Sequence, residues 1–288
     1  MSIRFNVKKT QEFFDRMAAG FSAVTGPRDG IFLNLILKKY QKKNKGKISA
    51  LDFGCGGGAL LLKMLKRGIN TQGIEKHNNL CQFARQRLAK AGYEPSKIIR
   101  GSTDELARLP EASFEFVVLM GVFQYLPPGE YQRLLVNIYR VLKPGGHLIG
   151  SYQNAFFDLF TFNKYTIDFY QEKFFKPLKL DRLFKDKLIK DLKGLITYPN
   201  KPAYSPITAR DNIYVQTANP LTIGGELKEY RFDLLEKYFY GFFFVPRLIE
   251  GKYKKRLQKM TNQFEIKRST EWYGHFMASA FVVDCQKK

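Results

Sequence analysis

Residues 51–59 read L-D-F-G-C-G-G-G-A, directly after a short apolar strand (Lys47 to Leu51) and directly before an apolar-periodic run, Leu60 to Leu65. Strand, glycine-rich turn and helix start, in that order, make a loop able to cradle a nucleotide. Glycines there let the backbone approach a ligand at φ values that side chains forbid. Gly54, Gly56 and Ala59 satisfy the G-x-G-x-x-G/A pattern of dinucleotide sites, and Glu75 follows about twenty residues on. Asp52 argues against that reading. A pyrophosphate docks on the bare N–H groups of a helix N-terminus, where a carboxylate adds an unwanted negative charge. A ligand with a positively charged amino-acid moiety would welcome it.

Further blocks follow the loop in order. They are G-I-E-K at 73–76, R-G-S-T-D-E-L at 100–106, S-F-E-F-V-V-L-M-G-V-F-Q-Y-L at 113–126 and L-K-P-G-G-H-L-I-G-S-Y at 142–152. With D-F-G-C-G-G-G they resemble the ordered motifs of class I S-adenosylmethionine-dependent methyltransferases, of the bacterial small-molecule and ubiquinone-biosynthesis type. The likeness covers the first half of the chain well and its last seventy or so residues loosely.

That resemblance implies an α/β, Rossmann-like, seven-stranded and mostly parallel sheet with helices on both faces. It further implies an antiparallel C-terminal strand, N-terminal helices and a lid insertion. S-adenosylmethionine would be held by Asp52, Phe53, Gly54, Cys55 and Gly56 of the first turn and by Glu75 on the ribose hydroxyls. Ser102 and Thr103 stand where relatives often carry an adenine-binding aspartate, so the hydroxyls, Asp104 or the backbone alone must serve. Met120 would wall the methionine end. Gln124 stands where many small-molecule methyltransferases show a histidine or a related polar residue, and can orient a substrate but cannot be a general base. Tyr152, ending the fifth strand, is either a substrate contact or a packing aromatic.

Alternating strands and helices of ten or so residues independently call for right-handed crossovers and a parallel sheet. Strands are expected at 48–53, 70–75, 97–100, 115–120 and 146–152, with helices at 58–67, 78–91 and 129–142. Ahead of them, helical patterns run from Thr10 to Ala19 and from Asp29 to Lys43. Late strands are expected at Tyr238–Val245 and His275–Cys285. The chain accordingly divides into a helical cap (1–46), the S-adenosylmethionine-binding core (47–152), a lid and substrate-recognition insertion (153–220) and the C-terminal part of the core sheet (221–288). The insertion is aromatic, lysine-rich and punctuated by Pro177, Pro199, Pro202, Pro206 and Pro220. A stretch so long is functional rather than an ordinary loop.

The net charge of +22 signals attraction to something anionic, or simply a solvated lysine-rich surface. Lysine, which dominates over arginine here, is the weaker choice for bidentate phosphate recognition. From Leu180 to Leu195 apolar residues line one helical face and basic residues the others. Such a helix can pack on its own domain or lie on an anionic membrane. Packing on its own domain is the first reading of this helix and peripheral contact with an anionic membrane the second; the resemblance favours a small-molecule or lipid-linked acceptor over nucleic acid. No Asn/Asp-Pro-Pro-aromatic tetrapeptide follows the fourth strand, and no RNA-binding module is recognisable. An RNA methyltransferase and a non-catalytic, cofactor-binding scaffold remain the alternatives.

No secretory signal or membrane-spanning run is visible, and three cysteines (Cys55, Cys81, Cys285) without C-x-x-C spacing suit a reducing, cytoplasmic compartment. No metal site is expected. Of three histidines, His77 reads as a helix-start surface residue, His147 lies at the far end of the fifth strand, and His275 begins the last strand. A general base is left unassigned.

Overall fold

A computed structural model describes residue 6 and residues 8–10, 12–14, 27–40, 48–162, 164–195, 213–243 and 267–288. Pro199, Pro202 and Pro206 of the insertion, residues 15–19 and 41–43 of the expected N-terminal helices and residues 244–245 of the strand expected at Tyr238–Val245 lie outside the described residues. Residues 8–10 and 12–14 are helical, so the helix expected at Thr10–Ala19 is met at residues 10 and 12–14 and starts two residues earlier, and α1 (Pro27–Tyr40) meets the second expected helix.

Seven strands form one sheet: β1 (Ser49–Phe53), β2 (Asn70–Glu75), β3 (Ile98–Arg100), β4 (Phe114–Leu119), β5 (Leu142–Gln153), β6 (Phe232–Phe242) and β7 (Ala278–Lys287). Their spatial order is β3-β2-β1-β4-β5-β7-β6. The first five are mutually parallel, and β7 runs antiparallel between β5 and β6. Helices α2 (Ala59–Lys66), α3 (Asn78–Lys90), α4 (Thr103–Arg108) and α5 (Pro128–Val141) are the crossovers. A strand feeding a right-handed helix can return to the same sheet in parallel only over such a connection.

Both faces of the sheet are covered, so its strands alternate between two apolar layers rather than between core and water. In β4, Val117 and Leu119 enter the layer under α5, while Phe116 and Val118 enter the layer under α1 and α2. A register shift between Phe114 and Phe116 lets Phe114 join the first layer as well. Tyr131, Leu134, Leu135, Ile138 and Val141 give α5 its buried stripe, at the three- and four-residue spacing of one helix face. Ala278 to Cys285 of β7 are all buried. Each such Phe, Val or Leu contributes about 1.5–3 kcal/mol on burial.

Differences from the expected elements have local causes. α4 follows the Ser-Thr turn directly and is too short to show periodicity. β5 starts at Leu142, ahead of the Pro144-Gly145-Gly146 turn, because α5 passes straight into the sheet. β6 begins at Phe232, where polar residues face outward on an edge strand, a pattern that hides a strand from apolar counting. His275 belongs not to β7 but to a short helical turn, α10 (Gly274–Met277). After β5 come α6 (Phe157–Thr161), α7 (Lys164–Tyr170), a π-helical turn at Gln171–Phe175, and α8 (Arg182–Leu195). A further helix, α9 (Ile223–Glu229), precedes β6.

Candidate active site

The carboxyl ends of β1, β2 and β4 lie side by side, with Asp52 opposite Gly73 and Val118, and Glu75 opposite Arg100. Open parallel sheets bind ligands outside this edge. The turn after β1 is pinned to β2, because the Gly54 and Cys55 N–H groups both donate to the Ile74 carbonyl at 2.8 and 3.1 Å. Gly54 has φ +73°, and a Cβ there would come within 2.4 Å of Val122 Cγ2. A side chain would therefore push the β4 loop off the turn. Gly56, at φ +53°, has nothing within 4 Å of where a Cβ would stand. Its backbone faces open space.

Two carboxylates flank this turn. Asp52 is 2% exposed and Glu75 4%. Glu75 Oε2 accepts the Gly56 N–H at 2.8 Å, and its Oε1 accepts both the backbone N–H and the Nδ1–H of His77, each at 2.8 Å. The tautomer follows from the chemistry, since a carboxylate can only accept from the ring. The Cys55 thiol is buried, and burial, reinforced by Asp52 and Glu75, pushes its pKa well above the usual thiol range. It stays a neutral packing group whose backbone, not whose sulfur, faces the turn. Phe53 packs into the layer under α5.

Ser102 precedes α4, and Gly101 N–H donates to the Glu75 carbonyl at 3.0 Å, which sets this turn beside β2. Thr103 is buried. Asp104 instead pairs with Arg133 at 2.7 Å and is 73% exposed, so Ser102 and Thr103 are the members of the turn held against the sheet. Beyond β4, Met120 is half-buried and the Gly121 N–H donates to Ser151 Oγ at 2.7 Å. Gln124 is buried; its carbonyl accepts the Gln216 N–H at 2.8 Å while Gln216 Nε2 donates to the Phe123 carbonyl at 2.8 Å. Residues around 216 therefore close over the β4 loop.

Tyr152 is placed differently from the rest. Its ring stacks on Phe123 at 4.6 Å and Phe281 at 5.6 Å, and its hydroxyl meets that of Tyr131 at 3.0 Å. Burial first, then Tyr131, raises its pKa, so it remains a phenol. Of the two roles open from the sequence, these surroundings describe packing. His147 pairs with Asp284 at 2.8 Å in the middle of β5, opposite Phe116 of β4 and away from the strands' carboxyl ends; the strand begins at Leu142, five residues before it. His275 lies over Phe239, its Nδ1 donating to the Trp272 carbonyl at 2.8 Å. Burial, and then Lys237, lowers its pKa.

Sequence reading missed three organising residues. Ser151 and Gln216 act through backbone groups and carry no spacing signal. His77 does begin a helix, as expected, but its side chain is only 13% exposed and bonded to Glu75. Its position two residues past a strand-ending acid was the available signal. Among the described residues no group of His, Cys, Asp and Glu could hold a metal ion.

The residues around the turn suit an adenosyl amino acid better than a dinucleotide. Buried acids stand where a ribose diol and an ammonium can be held, and the space above Gly56 is open. Comparison agrees. Residues 51–150 match the methyltransferase-domain family. Within it, the ubiquinone biosynthesis O-methyltransferase of Alkalilimnicola ehrlichii is 30% identical over 168 residues, 54% of this chain and 66% of that one. The Rickettsia akari protein of the same name is 27% identical over 192 residues, 59% of this chain and 72% of that one. The matched region thus spans about two thirds of these relatives' length. The fold resembles that of the Burkholderia thailandensis 1,6-didemethyltoxoflavin-N1-methyltransferase, solved with its substrate and S-adenosylhomocysteine, at TM-score 0.53 and 13% identity over 98% of this chain and 88% of that one. The chain belongs to the class I S-adenosylmethionine-dependent methyltransferases. Of the three proteins just described, the Alkalilimnicola ehrlichii and Rickettsia akari relatives are named O-methyltransferases and the Burkholderia thailandensis one an N1-methyltransferase.

Proposed function

We propose that this protein transfers a methyl group from S-adenosylmethionine to an oxygen of a small-molecule, glycan or lipid-linked acceptor. The observation that carries the reading is the pair of buried carboxylates, Asp52 and Glu75, at the ends of adjacent strands around a turn whose Gly56 faces open space. When bound, S-adenosylmethionine supplies a methyl group already made electrophilic by the sulfonium charge. The chain's own task is then alignment, which contributes up to roughly ten kcal/mol in well-oriented systems.

In this reading Glu75 accepts a ribose hydroxyl and Asp52 acts on the methionine ammonium. Phe53, Gly54, Cys55 and Gly56 supply the turn and its backbone groups. Ser102 and Thr103 line the adenine side, and Met120 walls the methionine end. Gln124 orients the acceptor, while Tyr152 supports the loop from beneath through Phe123. Residues 1–46 serve as a cap, 47–152 as the cofactor core with 221–288 completing its sheet, and 153–220 as the lid that receives the acceptor.

Isothermal titration with S-adenosylhomocysteine tests this. Binding in the micromolar range, lost in Asp52→Ala and Glu75→Ala, is the expected result; absence of binding, or alanine variants that bind as well as the parent, would overturn it. Incubation with labelled S-adenosylmethionine and fractionated lysate then identifies the acceptor.

Peripheral contact with an anionic membrane from the cytoplasmic side belongs to the same proposal. Its support is α8, which has no buried residue: Leu183 is 83% exposed, Phe184 50% and Leu195 60%. Arg182, Lys185, Lys187, Lys190 and Lys193 share the helix. Apolar side chains ringed by cations are the makings of an interfacial helix.

A further inference from the structure

The Glu75 carboxylate is held more firmly than a strand-end acid needs. Three protein donors converge on it, from the Gly56 N–H, the His77 N–H and His77 Nδ1, all at 2.8 Å. A carboxylate offers about four acceptor positions, so roughly one remains, on Oε2. Two of the three donors belong to the backbone, one on each oxygen, and residue 77 would supply its own whatever its side chain. The imidazole is the one side-chain donor among them, and it fills the second acceptor position of Oε1, so that the vacant position lies on Oε2.

The imidazole is itself held. Phe14, from the N-terminal helical segment, lies against the His77 ring at a centroid distance of 4.6 Å and meets Tyr125 edge-on at 5.1 Å. Tyr125 belongs to the 3₁₀ turn after β4, on the opposite side of the glycine turn. A single aromatic thus bridges the two walls of the cleft, from the end of β2 to the β4 loop. It covers the face of the imidazole, excluding water that would compete for Nδ1–H and loosen the bond to Glu75.

We propose that His77 is a positioning residue for cofactor binding: its Nδ1–H, added to the two backbone donors, occupies Oε1 and steadies the Glu75 carboxylate with its vacant acceptor position on Oε2 for a ribose hydroxyl, and Phe14 clamps the imidazole in place. The inference rests on reading this cleft as the S-adenosylmethionine site. It assigns to one histidine a part in cofactor binding beyond starting a helix.

The test compares two ligands and two variants of the full-length chain. S-adenosylhomocysteine and its 2′,3′-dideoxyribose analogue are titrated calorimetrically against the parent, His77→Phe and His77→Asn. His77→Phe keeps an aromatic face for Phe14 but has no donor; His77→Asn restores an N–H near Nδ1. The expected result is about a tenfold loss of S-adenosylhomocysteine affinity in His77→Phe, the size of one charge-assisted hydrogen bond's lower range. Affinity should return to within about threefold in His77→Asn, and the dideoxy analogue should bind the parent and His77→Phe alike. Equal losses for both ligands would mark a merely structural histidine and overturn the proposal, as would an unchanged affinity in His77→Phe. Should His77→Phe fail to fold, as read by thermal melting, His77→Leu, which also lacks the donor, takes its place with the same two outcomes: about a tenfold loss confined to S-adenosylhomocysteine supports the proposal, and an unchanged affinity or an equal loss for both ligands overturns it. If the parent binds neither ligand, the cofactor reading fails first, and this inference with it.

Discussion

Glu115 shows how far a single side chain can matter without touching the site. At the amino end of β4 it accepts the backbone N–H of Ser49 at 2.7 Å together with the Ser49 hydroxyl and the Lys143 ammonium. It therefore ties the starts of β1 and β5 to β4. Burial alone would raise its pKa, but the hydrogen bonds from Lys143 and Ser49 outweigh that and lower it. A depressed folded pKa means the stabilisation is complete above the ordinary carboxylate range and is lost as pH falls through the folded value. Glu115→Ala should cost about 2 kcal/mol at neutral pH and flatten the acid limb of a stability–pH profile, with S-adenosylhomocysteine affinity unchanged. At Gly54 the prediction reverses. Alanine there meets φ +73° and Val122, so a left-handed penalty of roughly 1–2 kcal/mol adds to displacement of the β4 loop. Gly54→Ala should lower both melting temperature and ligand affinity, the latter by titration.

Among the elements, α8 and β7 are opposites. Every residue of β7 from Ala278 to Cys285 is buried between β5 and β6, so its apolar residues carry the sheet. Phe281, fully buried and stacked on Tyr152 at 5.6 Å, should cost about 3–5 kcal/mol when cut to alanine, measured by denaturant unfolding. α8 has no buried residue, and its substitution should barely move the melting temperature. Leu183→Asp with Phe184→Asp should instead reduce co-sedimentation with phosphatidylglycerol vesicles severalfold while leaving the weaker binding to phosphatidylcholine vesicles little changed. Equal sedimentation of parent and variant with the anionic vesicles would refute membrane contact through this helix.

At the scale of the whole molecule, the net charge of +22 and the cofactor cleft make separable predictions. A ligand that binds only the folded chain stabilises it by about 2.7 kcal/mol at a hundredfold excess over its Kd. S-adenosylhomocysteine should therefore raise the melting temperature by several degrees in the parent and not in Glu75→Ala, by scanning calorimetry. The alternation of strands and helices and the position of the glycine turn were legible because apolar segments of strand and helix length recur along the chain; the antiparallel last strand was an expectation from the resemblance, and the spatial order of the strands came from the structure. Asp52 and Glu75 were legible because strand ends and turn glycines declare themselves locally. Sequence by itself therefore determined the alternating strands and helices, the glycine turn and the acids at the ends of β1 and β2. What only the tertiary structure decided were the contacts between residues far apart in the chain: Phe14 on His77, Gln216 on the β4 loop, and Tyr152 buried between Phe123 and Phe281 rather than turned toward an acceptor. The physical reason is that local sequence sets backbone conformation and face, whereas which side chain meets which depends on the packing of every layer at once.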